Sequence, residues 1–379
     1  MGKIILLYLT IAFAFIFGCY GQSPPVKKPE TSASSNPLIT ALDKKIDAKV
    51  RHFIASRKGV GLAIGILEKN KTVFYGYGET KRGNKQLPND HTIFEIGSIT
   101  KTFTATLLAY AANDGKLKLD DPVNKYLPDS IPPIEYQGIP VTLKMLSNHS
   151  SGLPELPTNF QFADEKNPHA GDPFKDYDNN DLFSFYKHFK LQRKPGVKFE
   201  YSNVAAATNG VILEKIYKKS YEELVVNQIC NPLGMAETRQ VVPDKDSSRI
   251  ATGYDPTGTI VPPWNWKALS GAGGLRSTTS DLLKYARANM DTTPSALNRA
   301  MMLTHQATFK MKEGAMGLGW GIFKSDSYDY LTHTGGTGGF SSFILINLKS
   351  RIAIVILSNK VVDNLDNLGS DILELVENK

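Results

Sequence analysis

Ser98-Ile99-Thr100-Lys101, running on from Thr102 to Ala112 without a glycine or proline, is the stretch on which the reading of this chain turns. The run is mostly small and apolar, and it predicts a helix that begins near Ser98. Residues three apart share a helix face, so Lys101 can reach the Ser98 hydroxyl. A serine hydroxyl is a weak nucleophile until a base stands within hydrogen-bond reach. A lysine held neutral by burial can be that base. The helix start also favours negative charge developing on the serine side. Taken alone, such a tetrapeptide is most often solvated helix surface, so its meaning depends on what the rest of the chain brings to it.

Two downstream stretches supply candidates. In Pro195-Gly196-Val197-Lys198-Phe199-Glu200-Tyr201-Ser202-Asn203 the Pro-Gly pair marks a turn, and residues just past a turn can be aimed into a cleft. A phenol beside a lysine cation can have a lowered pKa and so exchange a proton with Ser98. Asn203 offers a donor and an acceptor, enough to hold Lys101 and to grip a substrate amide. The other stretch is His333-Thr334-Gly335-Gly336-Thr337-Gly338-Gly339-Phe340, which leads into a strand expected at Ser341. Glycines beside a strand permit close backbone approach, and an N–H from that edge could pair with the Ser98 N–H as an oxyanion hole. A packed tyrosine turn and a flexible Gly-rich turn explain each of these equally well when it stands alone.

Ser-x-x-Lys, Tyr-Ser-Asn and His-Thr-Gly in this order and spacing resemble the penicillin-recognising serine hydrolases. With Tyr-x-Asn in second place, the chain looks closer to the class C β-lactamase and DD-peptidase branch. Gly97 before the serine, Leu146 to Pro154, Pro232-Leu233-Gly234-Met235, Gly271-Ala272-Gly273-Gly274-Leu275 before Asp281, and Gly317-Leu318-Gly319-Trp320 fit the same branch. The resemblance runs from about Leu38 to the C-terminus. It implies Ser98 as the acylated nucleophile, Lys101 as its proton partner, Tyr201 as general base or relay, and Asn203 as anchor of Lys101 and the substrate amide. It further implies an oxyanion hole from the N–H groups of Ser98 and Gly336, with His333, Thr334 and Gly335 lining the substrate pocket. Which of Lys101 and Tyr201 takes the first proton stays open at this level.

Many β-lactamases of this kind carry lysine where this chain has His333. Histidine is largely neutral at pH 7 unless its pKa is raised, so the grip on a β-lactam carboxylate is expected to be weaker. His-Thr-Gly is closer to some DD-peptidases, D-aminopeptidases and esterases of the family. The expected function is therefore an exported serine hydrolase acting through an acyl-enzyme on peptides or esters, DD-peptidase-like. A class C-type β-lactamase or small-ester esterase is the alternative within that chemistry, and a catalytically silent surface binding protein is the alternative of another class.

The 379 residues suffice for a large core, and 41% apolar with 21% charged residues is ordinary for a globular protein. The net charge of +7 is spread out, without the dense basic stripe of a nucleic-acid binder. Met1-Gly2-Lys3, the apolar run Ile4 to Phe17, and Gly18-Cys19 read as a signal peptide ending in a bacterial lipobox. Residues 1–18 are then the leader, Cys19 the lipidation site, and 19–37 a flexible tether rich in Ser, Pro, Lys and Gln. The chain is expected to be exported and anchored in a membrane through that lipid, with cell-wall peptides or β-lactams as its partners. Cys230, among apolar neighbours, reads as a buried structural thiol. The seven histidines show no His-x-x-x-His spacing, so neither metal nor other cofactor is expected. Arg276 is read as a surface residue, and His149 as a structural hydrogen-bonding one.

Apolar spacing at Leu38, Leu42, Ile46 and Val50 predicts a helix over 38–56. Strands are expected at Leu62 to Leu67 and Thr72 to Tyr77, then at Ser341 to Leu348 and Ile352 to Leu357, with a closing helix over Asp363 to Glu377. The fold class is α/β (α+β): one antiparallel sheet built from both chain ends (38–97 and 266–379), flanked by helices. A mostly helical domain (98–265) is inserted, and the active site lies between them.

Overall fold

The computed structural model describes residues 33–55, 57, 60–160, 171–326 and 328–379. The expected leader, Cys19 and most of the expected tether lie outside the described residues. The last part of that tether is not loose: Ser35 N–H donates to Gly76 O (2.9 Å) and Gly78 N–H to Ala33 O (2.9 Å). The segment thus covers an exposed sheet edge, the usual remedy for unpaired strand groups.

Helix α1 (Ala41–Ala55) starts later than its apolar spacing suggests. Thr40 and Asp43 cap each other's N–H groups (3.0 and 2.8 Å), and that box fixes the first turn. Strands β1 (Leu62–Glu68) and β2 (Lys71–Tyr77) form a hairpin whose two-residue turn, Lys69-Asn70, has φ of +45° and +70°. Both central residues of such a hairpin turn must be left-handed to match the strand twist. Strand β3 (Phe94–Glu95) leads directly to α2 (Thr100–Asn113).

Next come the small hairpin β4 (Glu135–Tyr136) and β5 (Ile139–Pro140), then helices α3 (Leu143–Ser147), α4 (Asn179–His188), α5 (Asn203–Tyr217), α6 (Tyr221–Val225) and α7 (Asn231–Leu233). Short helix α8 (Ser270–Gly273), strand β6 (Arg276–Ser277), and helices α9 (Thr279–Asn289) and α10 (Ala296–Thr304) follow. The chain ends with β7 (Phe309–Lys310), β8 (Ala315–Met316), β9 (Gly321–Lys324), β10 (Asp329–Gly336), β11 (Ser341–Asn347), β12 (Ile352–Ser358) and α11 (Leu365–Glu377).

Eight strands make one antiparallel sheet in the order β2-β1-β12-β11-β10-β9-β8-β7. The two chain ends meet at β1 and β12, in register from Leu62 opposite Ser358 to Glu68 opposite Ile352. Both sheet faces are covered, which explains the nearly unbroken apolar runs. Ile352, Ile354 and Ile356 face α1 and α11, whereas Ala353, Val355 and Leu357 face the helical side. In α11, Leu365, Leu368, Ile372, Leu373 and Val376 form the buried stripe. Each such side chain contributes about 1.5–3 kcal/mol when fully buried.

The segment after residue 265 returns first to the helical part rather than to the sheet. Gly271 of α8 packs on Gly210 of α5 so closely that a Cβ on either would meet the other's Cα at 3.1–3.2 Å. Residues from both parts, such as Phe103, Leu224, Leu282 and Val355, share one hydrophobic core.

Candidate active site

Gly97 makes the site possible. It turns the chain from β3 into a 3₁₀ turn, Gly97–Ile99, with φ of +48°, and α2 continues from Thr100. A Cβ on Gly97 would fall 2.6 Å from Gly336 O and 2.7 Å from Gly336 N. A Cβ on Gly335 would fall 2.1 Å from Ile96 O and 3.0 Å from Ser98 N. The backbone of Gly335-Gly336 therefore lies directly against that of Gly97-Ser98, and only glycine permits it. Ser342 Oγ–H donates to Ile96 O (2.8 Å) and ties β11 to the same corner.

The His-Thr-Gly stretch sits inside strand β10, not ahead of the first strand of a hairpin. His333, Thr334, Gly335 and Gly336 pair with Ile344, Phe343, Ser342 and Ser341 of β11. Strand signals were weak here because glycines neither favour nor pack a pleated surface.

Helix α2 is buried nearly all round, and this sets the surroundings of Lys101. Thr100, Thr102, Thr104 and Thr106 are all buried, and their hydroxyls bond within the core. Lys101, 2% exposed, lies in the same environment. Burial holds its amine well below the usual lysine range, with the Glu155 carboxylate opposing the shift.

Nζ of Lys101 lies 2.7 Å from Asn203 Oδ1, 2.6 Å from Ala272 O and 2.9 Å from Ser98 Oγ. In the neutral amine, which the lowered pKa favours, two N–H bonds serve Asn203 Oδ1 and Ala272 O, which can only accept, and the lone pair is left for the serine hydroxyl proton.

Tyr201 approaches the same oxygen from the other side, its phenol donating to Ser98 Oγ at 2.6 Å. Burial pushes that phenol up in pKa, so it stays protonated. The expectation of a lowered phenol pKa is thereby corrected, because burial disfavours the phenolate more than its neighbours favour it.

Tyr201 and Asn203 are placed by the turn the Pro-Gly pair announced and by a helix the sequence did not show. Gly196, at φ +81°, donates its N–H to Ser150 O (2.7 Å), and Glu200 N–H donates to His149 O (2.8 Å). Ser202 then caps α5 by accepting from Ala205 N–H (3.0 Å), leaving Asn203 in the first turn.

His149 is buried beside them, its ring 4.6 Å from that of Tyr201. Its Nδ1 accepts from Ser202 N–H (3.2 Å), which puts the ring proton on Nε2. Its structural reading holds, with a direct contact to the site that the reading lacked.

His333, 7% exposed, is pushed down to about 3 by burial and by Lys101, while its Nδ1 lies 2.5 Å from Thr334 O. It is a neutral imidazole, so the weaker grip on anions expected from the sequence has a physical basis. His305 is likewise pushed down by burial, to about 4.

A histidine whose folded pKa is depressed stabilises the fold fully above its unfolded value of about 6.5 and loses that contribution as pH falls toward the folded value. Thermal melts should therefore show stability falling between pH 6 and 4, with about 1.4 kcal/mol per pH unit from each such histidine. A melting temperature flat across that range would contradict neutral buried imidazoles.

Arg276 is not a surface residue. It is paired with buried Glu95 at 3.1 Å, the two side chains only 11% and 4% exposed. Glu95 was missed, although a carboxylate inside the apolar run Ile93-Phe94-Glu95-Ile96 is a signal of burial with a partner. Cys230 is buried and its thiol is pushed up to about 12, as an inert core residue should be. Among the described residues, no His, Cys, Asp and Glu side chains cluster as metal ligands. Among them also, no helix is long and apolar enough to cross a membrane.

Known proteins are similar to this chain in sequence and fold. The beta-lactamase family profile matches residues 46–377. A beta-lactamase of Pseudomonas fluorescens is 28% identical over 87% of this chain and 96% of its own length. The D-alanyl-D-alanine-carboxypeptidase/endopeptidase AmpH of Escherichia coli K12 is 27% identical over 98% of this chain and 95% of its own. Among solved structures, the beta-lactamase/D-alanine carboxypeptidase of Pseudomonas syringae superposes with a TM-score of 0.78, at 24% identity over 88% of this chain and 99% of that one. The D-alanine carboxypeptidase AmpC of Burkholderia cenocepacia gives 0.76, at 26% identity over 88% and 98%.

Proposed function

From its membership of the beta-lactamase family, which makes this chain a serine hydrolase of the beta-lactamase and penicillin-binding type, we propose a DD-peptidase-like hydrolase that cleaves D-alanyl peptide or related ester bonds through an acyl-Ser98 intermediate. The observation that carries it is the position of Ser98 Oγ, between a lysine amine whose other partners are both acceptors and a phenol that donates.

Lys101 Nζ takes the hydroxyl proton as Oγ attacks the substrate carbonyl. The N–H groups of Ser98 and Gly336 meet the oxygen that becomes negative. The proton held by Lys101 returns through Tyr201 to the leaving nitrogen or oxygen, which departs and leaves the acyl group on Ser98. Water attacks that ester by the reverse proton route. Asn203, its oxygen engaged by Lys101, has its amide N–H₂ to offer a substrate carbonyl. His333 and Thr334 then present hydrogen bonds rather than a cation to the far end of the substrate. That weakens the grip on β-lactams that rely on a lysine for their carboxylate.

A silent binding protein is disfavoured by the complete nucleophile, base and relay, since these groups are costly to bury without use. The test is labelling of the purified mature protein by fluorescent penicillin and by a fluorophosphonate, both expected on Ser98. Absence of both adducts on folded protein would sink the enzyme reading. Adduct lifetime separates the subclasses: a long-lived penicilloyl form marks a peptidase, rapid release a β-lactamase. Parallel turnover of nitrocefin, a D-Ala-D-Ala peptide and p-nitrophenyl acetate ranks the substrates.

We further propose that the leader ending at Gly18-Cys19 exports the chain and that Cys19 carries a lipid, which would place the hydrolase beside cell-wall peptides. Incorporation of radiolabelled palmitate should be lost in Cys19→Ala, and equal incorporation by the variant would rule this anchor out.

A further inference from the structure

Three residues before the nucleophile, the chain buries a carboxylate. Glu95 faces Arg276 across the short β3–β6 pair, with Oε1 to Nη2 at 3.1 Å. The same Glu95 oxygen accepts the backbone N–H of Trp264 at 2.9 Å. Arg276 donates to Trp264 O at 3.1 Å and to Gln240 O. The buried Thr337 hydroxyl, the first side chain beyond Gly336, lies beside the carboxyl group.

One ion pair thus ties three pieces of the catalytic neighbourhood by hydrogen bonds and packs beside a fourth. Strand β3 runs straight into Gly97-Ser98. Strand β6 follows α8, whose Ala272 carbonyl holds Lys101. The segment carrying Gln240 and Trp264 is gripped from both sides, and the turn from β10 to β11 carries Thr337. Trp264 in turn packs on that turn, where a Cβ on Gly338 would meet its Nε1 at 2.7 Å. Ile96 N–H also donates to Leu275 O (3.1 Å), so the β3–β6 contact continues up to the nucleophile's own turn.

A buried ion pair is a poor source of stability, because desolvating both charges offsets their attraction and an apolar pair of similar volume often does as well. What such a pair does supply is a fixed geometry between the elements it joins. We propose that the Glu95–Arg276 pair is a positioning clasp that sets the spacing between the Ser98 and Gly336 N–H groups by tying β3, β6 and the β10–β11 turn to one another. Neither residue touches substrate; both act through the backbone they hold. A displacement of about 1 Å at a reacting centre can cost ~10²-fold in rate, so a slack clasp should show in turnover rather than in binding.

This inference rests on the acyl-enzyme reading, and the experiment separates the two. Glu95→Gln and the double variant Glu95→Met/Arg276→Met are compared with the parent for melting temperature, fluorophosphonate titre, and kcat and KM on p-nitrophenyl acetate per titrated site. Glu95→Gln should lower both melting temperature and kcat per site. The double variant should regain much of the melting temperature while its kcat per site stays down by about tenfold or more, with KM within about threefold.

Recovery of kcat together with stability would overturn the clasp and leave a merely structural pair. If the double variant stays unstable, Glu95→Gln decides: a lower titre with unchanged kcat per titrated site overturns the proposal, and a lower kcat per site supports it. A parent that the fluorophosphonate fails to label would instead overturn the serine hydrolase reading itself.

Discussion

Lys101→Met is expected to slow acylation of Ser98 by about 10³-fold, within the ~10²–10⁴ that a positioned general base contributes. Methionine keeps the length and apolar volume of the lysine stem, so the helix packing around α2 survives. What disappears is the amine 2.9 Å from Ser98 Oγ, together with its donors to Asn203 Oδ1 and Ala272 O. Tyr201 cannot replace it, because burial pushes its pKa up and it meets Ser98 Oγ as a donor.

The fold should pay little for this change. The lost donors cost about 1–3 kcal/mol each, but the variant no longer has to strip a lysine of its proton and its water. Linkage supplies a second readout. The Lys101 pKa is lowered in the folded state, so above that folded value the unfolded chain binds more protons and the parent gains stability as pH rises toward 10.4. Lys101→Met should remove that slope. Fluorophosphonate labelling rates measured beside thermal melts at several pH values test both parts. Labelling within threefold of the parent would exclude Lys101 as the base.

The second large effect is expected from the smallest substitution. Gly97→Ala should lower kcat by roughly 10²–10³-fold, the cost of losing one oxyanion donor. The added methyl would fall 2.6 Å from Gly336 O and 2.7 Å from Gly336 N, closer than carbon can approach backbone. Either the end of β10 moves away or the Ser98 turn rotates, and both widen the gap between the two N–H groups. Because the hole grips an oxygen that is fully charged only in the transition state, KM should change far less than kcat.

Positive φ alone is not the cause. Gly115, at φ +70°, has nothing within 4 Å of where a Cβ would stand. Gly115→Ala is therefore the control, carrying backbone strain of about 1 kcal/mol without touching the site. Equal kcat in Gly97→Ala and Gly115→Ala would disprove the close-approach argument.

The site was legible in the sequence to the degree that it is local or tied to a turn. Ser98 and Lys101 sit one helical turn apart, and the Pro195-Gly196 turn announced that Tyr201 and Asn203 lie just beyond a reversal. The sheet was legible at its two ends, where β1, β2, β11 and β12 are apolar runs bounded by turn residues. Strands β7 to β10 were not, because β7 and β8 have only two residues each and β9 and β10 carry glycines, so they take their strand character from neighbours. The pairing of Glu95 with Arg276 and the contact of His149 with Tyr201 were out of reach for a related reason: the partners lie far apart along the chain.

The sequence by itself determined which groups could do chemistry, because residue type and spacing fix what a side chain can donate, accept or attack with. Their state was decided by tertiary structure. The pKa of Lys101 is lowered because α2 runs through the core and loses its solvent. Tyr201 is a donor because burial keeps its phenol protonated. His333 is uncharged for the same reason of desolvation, and Gly97 and Gly336 form one corner only because β10 folds back onto the start of α2. Protonation and close approach depend on what surrounds an atom, and that is a property of the folded chain alone.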